Sequence, residues 1–343
     1  MRDFTSSSTR YLFAIWVPSA QIHELTNRQH ELVKANFNDL GPMPRTCINF
    51  IKDPPQQSKY EKHCQGLIST LTSQSLREVV INSGLLNLDA KSHHLFLIRR
   101  FEVDDLSSAY LEPISAKVKM QIKQALDNLE QLDHIDLYHS FMTINVTREI
   151  AGILYESLGH LTLQEGHNLM FMPMTKIKKQ NLFHWQRSNM MDNTFLVQFP
   201  CNPAVVYDVG LKSVKPDCLH VPNARNQPSI DSFIILDDTL YLFRFTVAVS
   251  HGIKDIDNSL SGILPLLPPK KNWRLVFITP PSYEVDVKAD SEAEQSSEGV
   301  SLYLAHIEIE RPSVITQRSA KKPKTAEPLG IAGPSKTAGI AGT

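Results

Sequence analysis

The chain is 343 residues long, 42% hydrophobic and carries a formal charge of −1, which is enough material for one large or two moderate domains with buried cores. Near-neutrality excludes a globally basic nucleic-acid binder and leaves room only for a local basic groove. The four cysteines, Cys47, Cys64, Cys201 and Cys218, form no CxxC pair, so neither a zinc ribbon nor a disulfide framework is expected, and reduced thiols in an intracellular compartment fit best.

The opening MRDFTSSSTRYLFAIW sets a short apolar stretch behind a polar Ser/Thr cluster, which is not a signal-peptide layout, and no apolar run approaches the length of a membrane span. Residues 18–35 predict a helix with Ser19 as N-cap and Ile22, Leu25, Leu32 and Val33 as its apolar positions. Gly41-Pro42 breaks it, and Pro44 opens the next helix. Residues 60–82 continue as helix, 93–98 form a short apolar strand, and 114–132 predict an amphipathic helix with Val118, Ile122, Ala125, Leu126 and Leu129 inward. His93 and His94 are adjacent, so on a strand they point to opposite faces and cannot serve one metal. His23-Glu24 is not an HExxH motif, because Asn27 stands where the second His belongs.

A second domain is expected to start near Asn145, whose Asn145-Val146-Thr147 sequon lacks any secretory context. Residues 147–165 predict a helix capped by Thr147 and closed by Gly166, in which Glu156 and His160 lie one turn apart on one face. Strands follow at 169–172 and 195–199. Residues 228–254 then read as a β-hairpin: SFIIL, an Asp237-Asp238-Thr239 turn, and LYLFRFTVAV. Asp231 heads its first strand, while Arg244 and Thr246, two apart on the second, share a sheet face. Residues 257–267 predict a helix, 273–279 a buried strand and 302–309 a last strand, so strand, helix, strand recurs as in an α/β core. Residues 289–299 form an acidic, Ser-rich insertion expected to be flexible. From residue 312 the chain is a disordered tail in which Arg318, Lys321, Lys322 and Lys324 could serve as a nuclear-import signal.

The hairpin resembles the core of PD-(D/E)XK nuclease-like domains, in the version found in fungal Crinkler-type and retrotransposon-hot-spot-type proteins. That pattern has an Asp opening one strand, a Gln or Glu and then a Lys or Thr on the next, and a His-Pro-Ile-Lys-like tail. Asp231, Thr246 and the tail His251, Gly252, Ile253, Lys254 match it, and Arg244 departs from it at a metal-ligand position. The helix with Glu156 resembles the family's first helix, which makes Glu156 the first acidic residue. Upstream, Trp16 to Leu25 and Leu40-Gly41-Pro42-Met43-Pro44-Arg45 resemble the helical lid that closes the family's P-loop ATPase domain.

The resemblance implies an α/β chain in three parts: residues 1–142, a mostly helical remnant of the ATPase lid and connector; 143–311, a PD-(D/E)XK-like mixed sheet flanked by helices; and the tail 312–343. It implies Arg45 as a nucleotide contact, Mg²⁺ on Glu156 and Asp231 where the domain is active, and His251 and Lys254 on nucleic acid, with DNA the expected partner and no membrane. No GxxxxGK[ST] occurs in the chain, so no ATP site is expected, and an upstream P-loop half is expected to be missing from it. The literal Pro216-Asp217 and Asp286-Val287-Lys288 are read as decoys, because about seventy residues separate acids that belong on neighbouring strands.

Phosphodiester hydrolysis in this family needs carboxylates to hold Mg²⁺ and a Lys to position water. Arg244 cannot be a ligand, since its guanidinium stays protonated; it is expected instead to make a bidentate salt bridge with Asp231 or Glu156 in the metal's place. Thr246 offers no titratable base, so weakened or absent catalysis is expected. Two alternatives remain: a working nuclease whose acid role moved to Asp237 or Asp238, and a non-catalytic DNA- or protein-binding module holding phosphates with Arg244, Lys254, Lys270 and Lys271. A degenerate gene remnant is the blandest reading.

Overall fold

The computed structural model describes residues 25–84, 92–100, 109–179, 182–188, 193–201, 203–207, 213–222, 230–253, 256–289 and 297–311. The expected cap at Ser19, residues 16–24 of the lid resemblance, Lys254, most of the acidic insertion and the tail with its basic cluster lie outside these.

Helix α1 (Asn27–Leu40) begins later than residues 18–35 predict, because a capping box fixes its start: the Thr26 hydroxyl accepts from the backbone N–H of Gln29, and the Gln29 side chain accepts from that of Thr26 at 2.8 Å. It ends at Gly41, whose φ of +98° suits glycine, and Pro44 opens α2 (Pro44–Lys52) as expected. The continuous helix expected over 60–82 is instead α3 (Pro54–Ser69) and α4 (Ser73–Gly84). Between them the Thr72 and Ser75 side chains each accept the other's backbone N–H, at 3.1 and 2.9 Å, a local alternative to helical bonding.

Strands β1 (Phe96–Arg100) and β2 (Ala109–Pro113) form a small antiparallel ribbon. His93 and His94 stand in a 3-10 turn before it, and the His94 ring packs edge-on against His63 at 5.0 Å. Helix α5 (Ala116–Asp127) is capped by Ser115 and stops short of the expected 132. Helix α6 (Gln131–Met142), which the sequence reading does not anticipate, fills the space before α7 (Arg148–Glu165). Thr147 precedes α7 without capping it; its buried hydroxyl donates to the Phe141 and Ile144 carbonyls.

The remaining strands are β3 (His167–Lys179), β4 (Leu182–Arg187), β5 (Phe195–Phe199), β6 (Ala204–Tyr207), β7 (Leu219–Pro222), β8 (Ser232–Leu236), β9 (Thr239–Phe245), β10 (Ser250–Gly252), β11 (Trp273–Thr279), β12 (Asp286–Ala289) and β13 (Ser301–His306), with α8 (Ile256–Leu260) between β10 and β11. Among the described residues they make one mixed sheet in the order β10-β12-β4-β3-β13-β11-β9-β8-β7-β6, with β5 also on β3. Strands β8 and β9 are antiparallel, while β9, β11 and β13 run parallel.

Both faces of the central strands are buried. Ile234, Tyr241, Phe243, Phe245, Val276 and Ile278 join a core with α4 to α7, whereas Phe233, Leu240, Leu242, Leu275 and Phe277 join another with α8. That is why LYLFRF shows no apolar and polar alternation. Helices before residue 143 and the sheet after it share the first core. Tyr155 ties α7 to the sheet by donating to the Ile307 carbonyl at 2.9 Å. Six strands separate Asp217, in the turn before β7, from Asp286 on β12, so the two acids read as decoys do not meet. No helix among the described residues is long and apolar enough to cross a membrane.

Candidate functional site

The hairpin turn is made by Asp237 and Asp238, at φ +48° and +59°. Two consecutive positive φ values match the right-handed twist of the flanking strands, so the turn takes only two residues and Leu236 pairs with Thr239. That register pairs Ser232 with Phe243 and sets Asp231, one residue further out, opposite Arg244. The Asp231 N–H donates to the Phe243 carbonyl at 2.8 Å, and the Phe245 N–H donates to Asp231 Oδ2 at 2.8 Å.

The Arg244 guanidinium makes a close ion pair from Nη1 to Asp231 Oδ1, and its Nε donates to His251 Nε2 at 2.9 Å. The expected salt bridge therefore forms, but it is single rather than bidentate: a backbone amide takes the second carboxylate oxygen, and the His251 ring on β10 accepts from Arg244 Nε. Accepting through Nε2 leaves the His251 proton on Nδ1.

Helices α5 and α7 supply the other charges. Lys123 Nζ lies 2.5 Å from Glu156 Oε1, and Lys119 Nζ lies 3.1 Å from Glu149 Oε1. His160 Nε2 lies 3.0 Å from the hydroxyl of Ser232, and its ring packs edge-on against Phe245 at 4.9 Å. Sequence reasoning missed Lys119, Lys123 and Glu149. The signal was present, since Lys119 and Lys123 are four apart on α5 and Glu149 and Glu156 seven apart on α7, two single-sign stripes of opposite charge.

Burial lifts the Asp231 carboxyl to about 6, with Arg244 pulling it down and the Glu156 charge pushing it up. Burial also opposes ionisation of Glu156, but Lys123, His160 and Arg244 outweigh it and hold that carboxyl below its ordinary value. Glu149 is held down chiefly by Lys119. Burial drives His160 to about 4, so its ring is neutral at pH 7.

Helix α7 can approach β9 this closely because residue 159 is glycine: a Cβ there would sit 2.2 Å from the Phe245 ring. Gly159→Ala is expected to lower stability by about 1–3 kcal/mol through overpacking. Because the Phe245 amide holds Asp231, the same change should also weaken the Arg244 pair. Chemical denaturation reads the first effect; a shallower salt dependence of stability reads the second, since a weaker ion pair leaves less for salt to screen.

Of the other expected residues, Thr246 is buried and its hydroxyl accepts from the Ala248 N–H at 3.1 Å. Arg45 falls in the first turn of α2, with its side chain outside the described set, as is all of Lys254. Asp237 and Asp238 stand at the opposite end of the hairpin, six or seven residues and roughly 20 Å from Asp231 at the rise of a strand, which removes them as substitutes for an acid beside it. Lys270 and Lys271 precede β11 at that same far end, and Lys270 pairs with Asp257 at 2.7 Å. They do not join Arg244 in one phosphate-holding surface.

A divalent ion does not fit the two carboxylates as they stand. Both oxygens of Asp231 are taken, Glu156 is bonded to Lys123, and no group of three His, Cys, Asp or Glu side chains among the described residues is arranged to hold a metal. The chain matches no family model, no curated protein and no solved structure.

Proposed function

We propose that this chain is a DNA-binding protein of the Crinkler and retrotransposon-hot-spot type, with a nuclease-like fold whose phosphodiester-cleaving centre is disarmed by Arg244. The single observation that carries this reading is the bonding of one guanidinium to both Asp231 and His251, the two residues that match the family's metal and tail positions. Three features support it: an antiparallel hairpin whose second strand runs parallel to one reached through a helix, a helix with a half-buried glutamate beside it, and the helix, proline turn, helix order before residue 53. In this reading the protein's own cations neutralise the carboxylates that would otherwise recruit metal, so DNA is held without being cut.

The test is incubation of the full chain with supercoiled plasmid and Mg²⁺ or Mn²⁺, beside Asp231→Ala and Arg244→Gln. The native chain is expected to leave plasmid intact and Arg244→Gln to nick it. Nicking by the native chain that Asp231→Ala abolishes would overturn the disarmed reading.

A further inference from the structure

We propose that β5 is the seam of a symmetric dimer, in which the free edge of this strand pairs antiparallel with the same strand of a second copy of the chain. Strand β5 stands off the main path of the sheet. It pairs with the first half of β3, from Phe171 opposite Phe195 to His167 opposite Phe199, and among the described residues no strand pairs with its other side. That side carries backbone N–H and C=O groups outside any ladder, which is a template for a further strand.

The two faces of the β3 and β5 pair differ. Leu169, Phe171, Val197 and Phe199 are buried in the first core, where the Phe199 ring meets those of Tyr241 and Phe243 at 5.3 and 5.5 Å. Asn168, Met170, Leu196 and Gln198 form the outward face, and all four are exposed. Met170 and Leu196 stand directly opposite each other, 48% and 58% exposed. Edge strands are normally guarded by a charge, a proline or a bulge. Residues 194–199, TFLVQF, hold no charged residue, glycine or proline and are mostly of strand-forming type. The other edges of the sheet are less suited to pairing: β10 is three residues long and ends in Gly252, and β6 is four residues long and follows Pro203.

A second copy is the occupant that the strand itself specifies. With a two-fold axis at Val197, antiparallel pairing sets Val197 on its own counterpart, Leu196 opposite the second copy's Gln198, and Phe195 opposite its Phe199. The outward faces then make one stripe across four strands, in which the two Leu196 side chains are diagonal neighbours about 7–8 Å apart. Charge complementarity agrees, because the outward face has no ionisable group and two identical faces meet without like charges opposed. Burial of Val197 and Phe199 in the chain's own core holds the strand in place before association, which lowers the ordering cost. This seam is independent of the Arg244 centre and of what that centre binds.

The experiment is sedimentation equilibrium of the full chain over a concentration series, for the native protein, Leu196→Lys, and Val206→Lys on β6 as the control. Hydrogen exchange of the β5 amides is followed at low and high concentration. The native mass should rise from 38.7 kDa toward twice that value, and the amides of residues 195–199 should gain protection as it does. Leu196→Lys should weaken dimerisation by roughly tenfold, since the change counts twice in a symmetric pair, and should leave the thermal midpoint of the dilute chain unchanged. Val206→Lys, at a position 65% exposed, should leave dimerisation as it is. Where Leu196→Lys lowers the midpoint, Met170→Lys on the neighbouring strand supplies the same reading. A mass of one chain at every concentration overturns the proposal, even where a strand of another protein binds at β5. Dimerisation that responds to Val206→Lys and not to Leu196→Lys, or that leaves the β5 amides unprotected, also overturns it.

Discussion

Arg244→Gln is expected to destabilise the chain by about 3 kcal/mol and to make that loss recoverable by Mn²⁺. The Asp231 side chain is 9% exposed and that of Arg244 21%. Removing the cation leaves a buried carboxylate with the Phe245 amide as its remaining described donor. Breaking a buried pair in this way costs about 3–5 kcal/mol, and Gln, which can still donate one bond, sets the expectation at the lower end. Arg244 is the main influence lowering the Asp231 pKa, so without it the carboxyl rises above about 6 and the loss deepens as pH increases. In a domain of this size the thermal midpoint should fall by roughly 5 °C. With the guanidinium gone, Asp231 Oδ1 is open to a hard cation, and Mn²⁺ should raise the midpoint of the variant but not of the native chain. Asp231→Asn in the Arg244→Gln background removes the buried charge and should recover stability without metal while abolishing the Mn²⁺ response. Equal Mn²⁺ responses in native and Arg244→Gln proteins would sink the view that arginine stands in the metal's place.

Stability is expected to rise between pH 4 and 6.5, with His160 the largest single contributor and Asp231 working against it. The pKa of His160 falls from 6.5 to about 4 through burial. Between those values the unfolded chain binds a proton that the folded chain refuses, so stability increases with pH, by an amount on the order of 3 kcal/mol for a shift of this size. Burial likewise depresses His134, His220 and His306, adding the same sign. Asp231 has the reverse effect: its pKa rises from 3.8 to about 6, so over that window the folded chain keeps a proton that the unfolded chain has lost, and stability falls as pH rises. Glu149 and Glu156, held below their ordinary values, lose their contribution only as pH falls further. Denaturation midpoints measured across pH 4 to 7 should therefore climb, more steeply in Asp231→Asn and less steeply in His160→Gln. A His160→Gln profile parallel to the native one would show that the ring is not held neutral by its burial against Phe245.

Much of the hairpin is legible in the sequence because its determinants are local. The two strand-forming runs and the Asp-rich turn are read from local residue types, but the turn is one residue shorter than the expected Asp237-Asp238-Thr239, since Thr239 pairs with Leu236, and it is that register which sets Asp231 opposite Arg244. Gly41-Pro42, Pro44 and Gly166 mark helix boundaries for the same reason, since each restricts its own backbone. The elements that differ from expectation have another origin. The 60–82 helix divides at a mutual Thr72 and Ser75 cap whose strength lies in side-chain to backbone bonds that apolar spacing does not register. Helix α6 escapes a reading by apolar spacing because its inward residues, Leu137, Tyr138 and Phe141, are set off by His134, a buried polar group in an apolar position.

Residue type and short spacing were enough to determine the two strands of the hairpin, the α/β order of elements and the lack of a P-loop motif in the chain. The rest was settled by packing in three dimensions. It paired Lys123 with Glu156 and Lys119 with Glu149, partners 33 and 30 residues apart, turned Arg244 toward His251 as well as Asp231, and set Lys270 and Lys271 at the end of the hairpin away from Arg244. The reason is that a charge's partner is set by which helix packs on which strand, and that packing depends on the whole core rather than on any one segment.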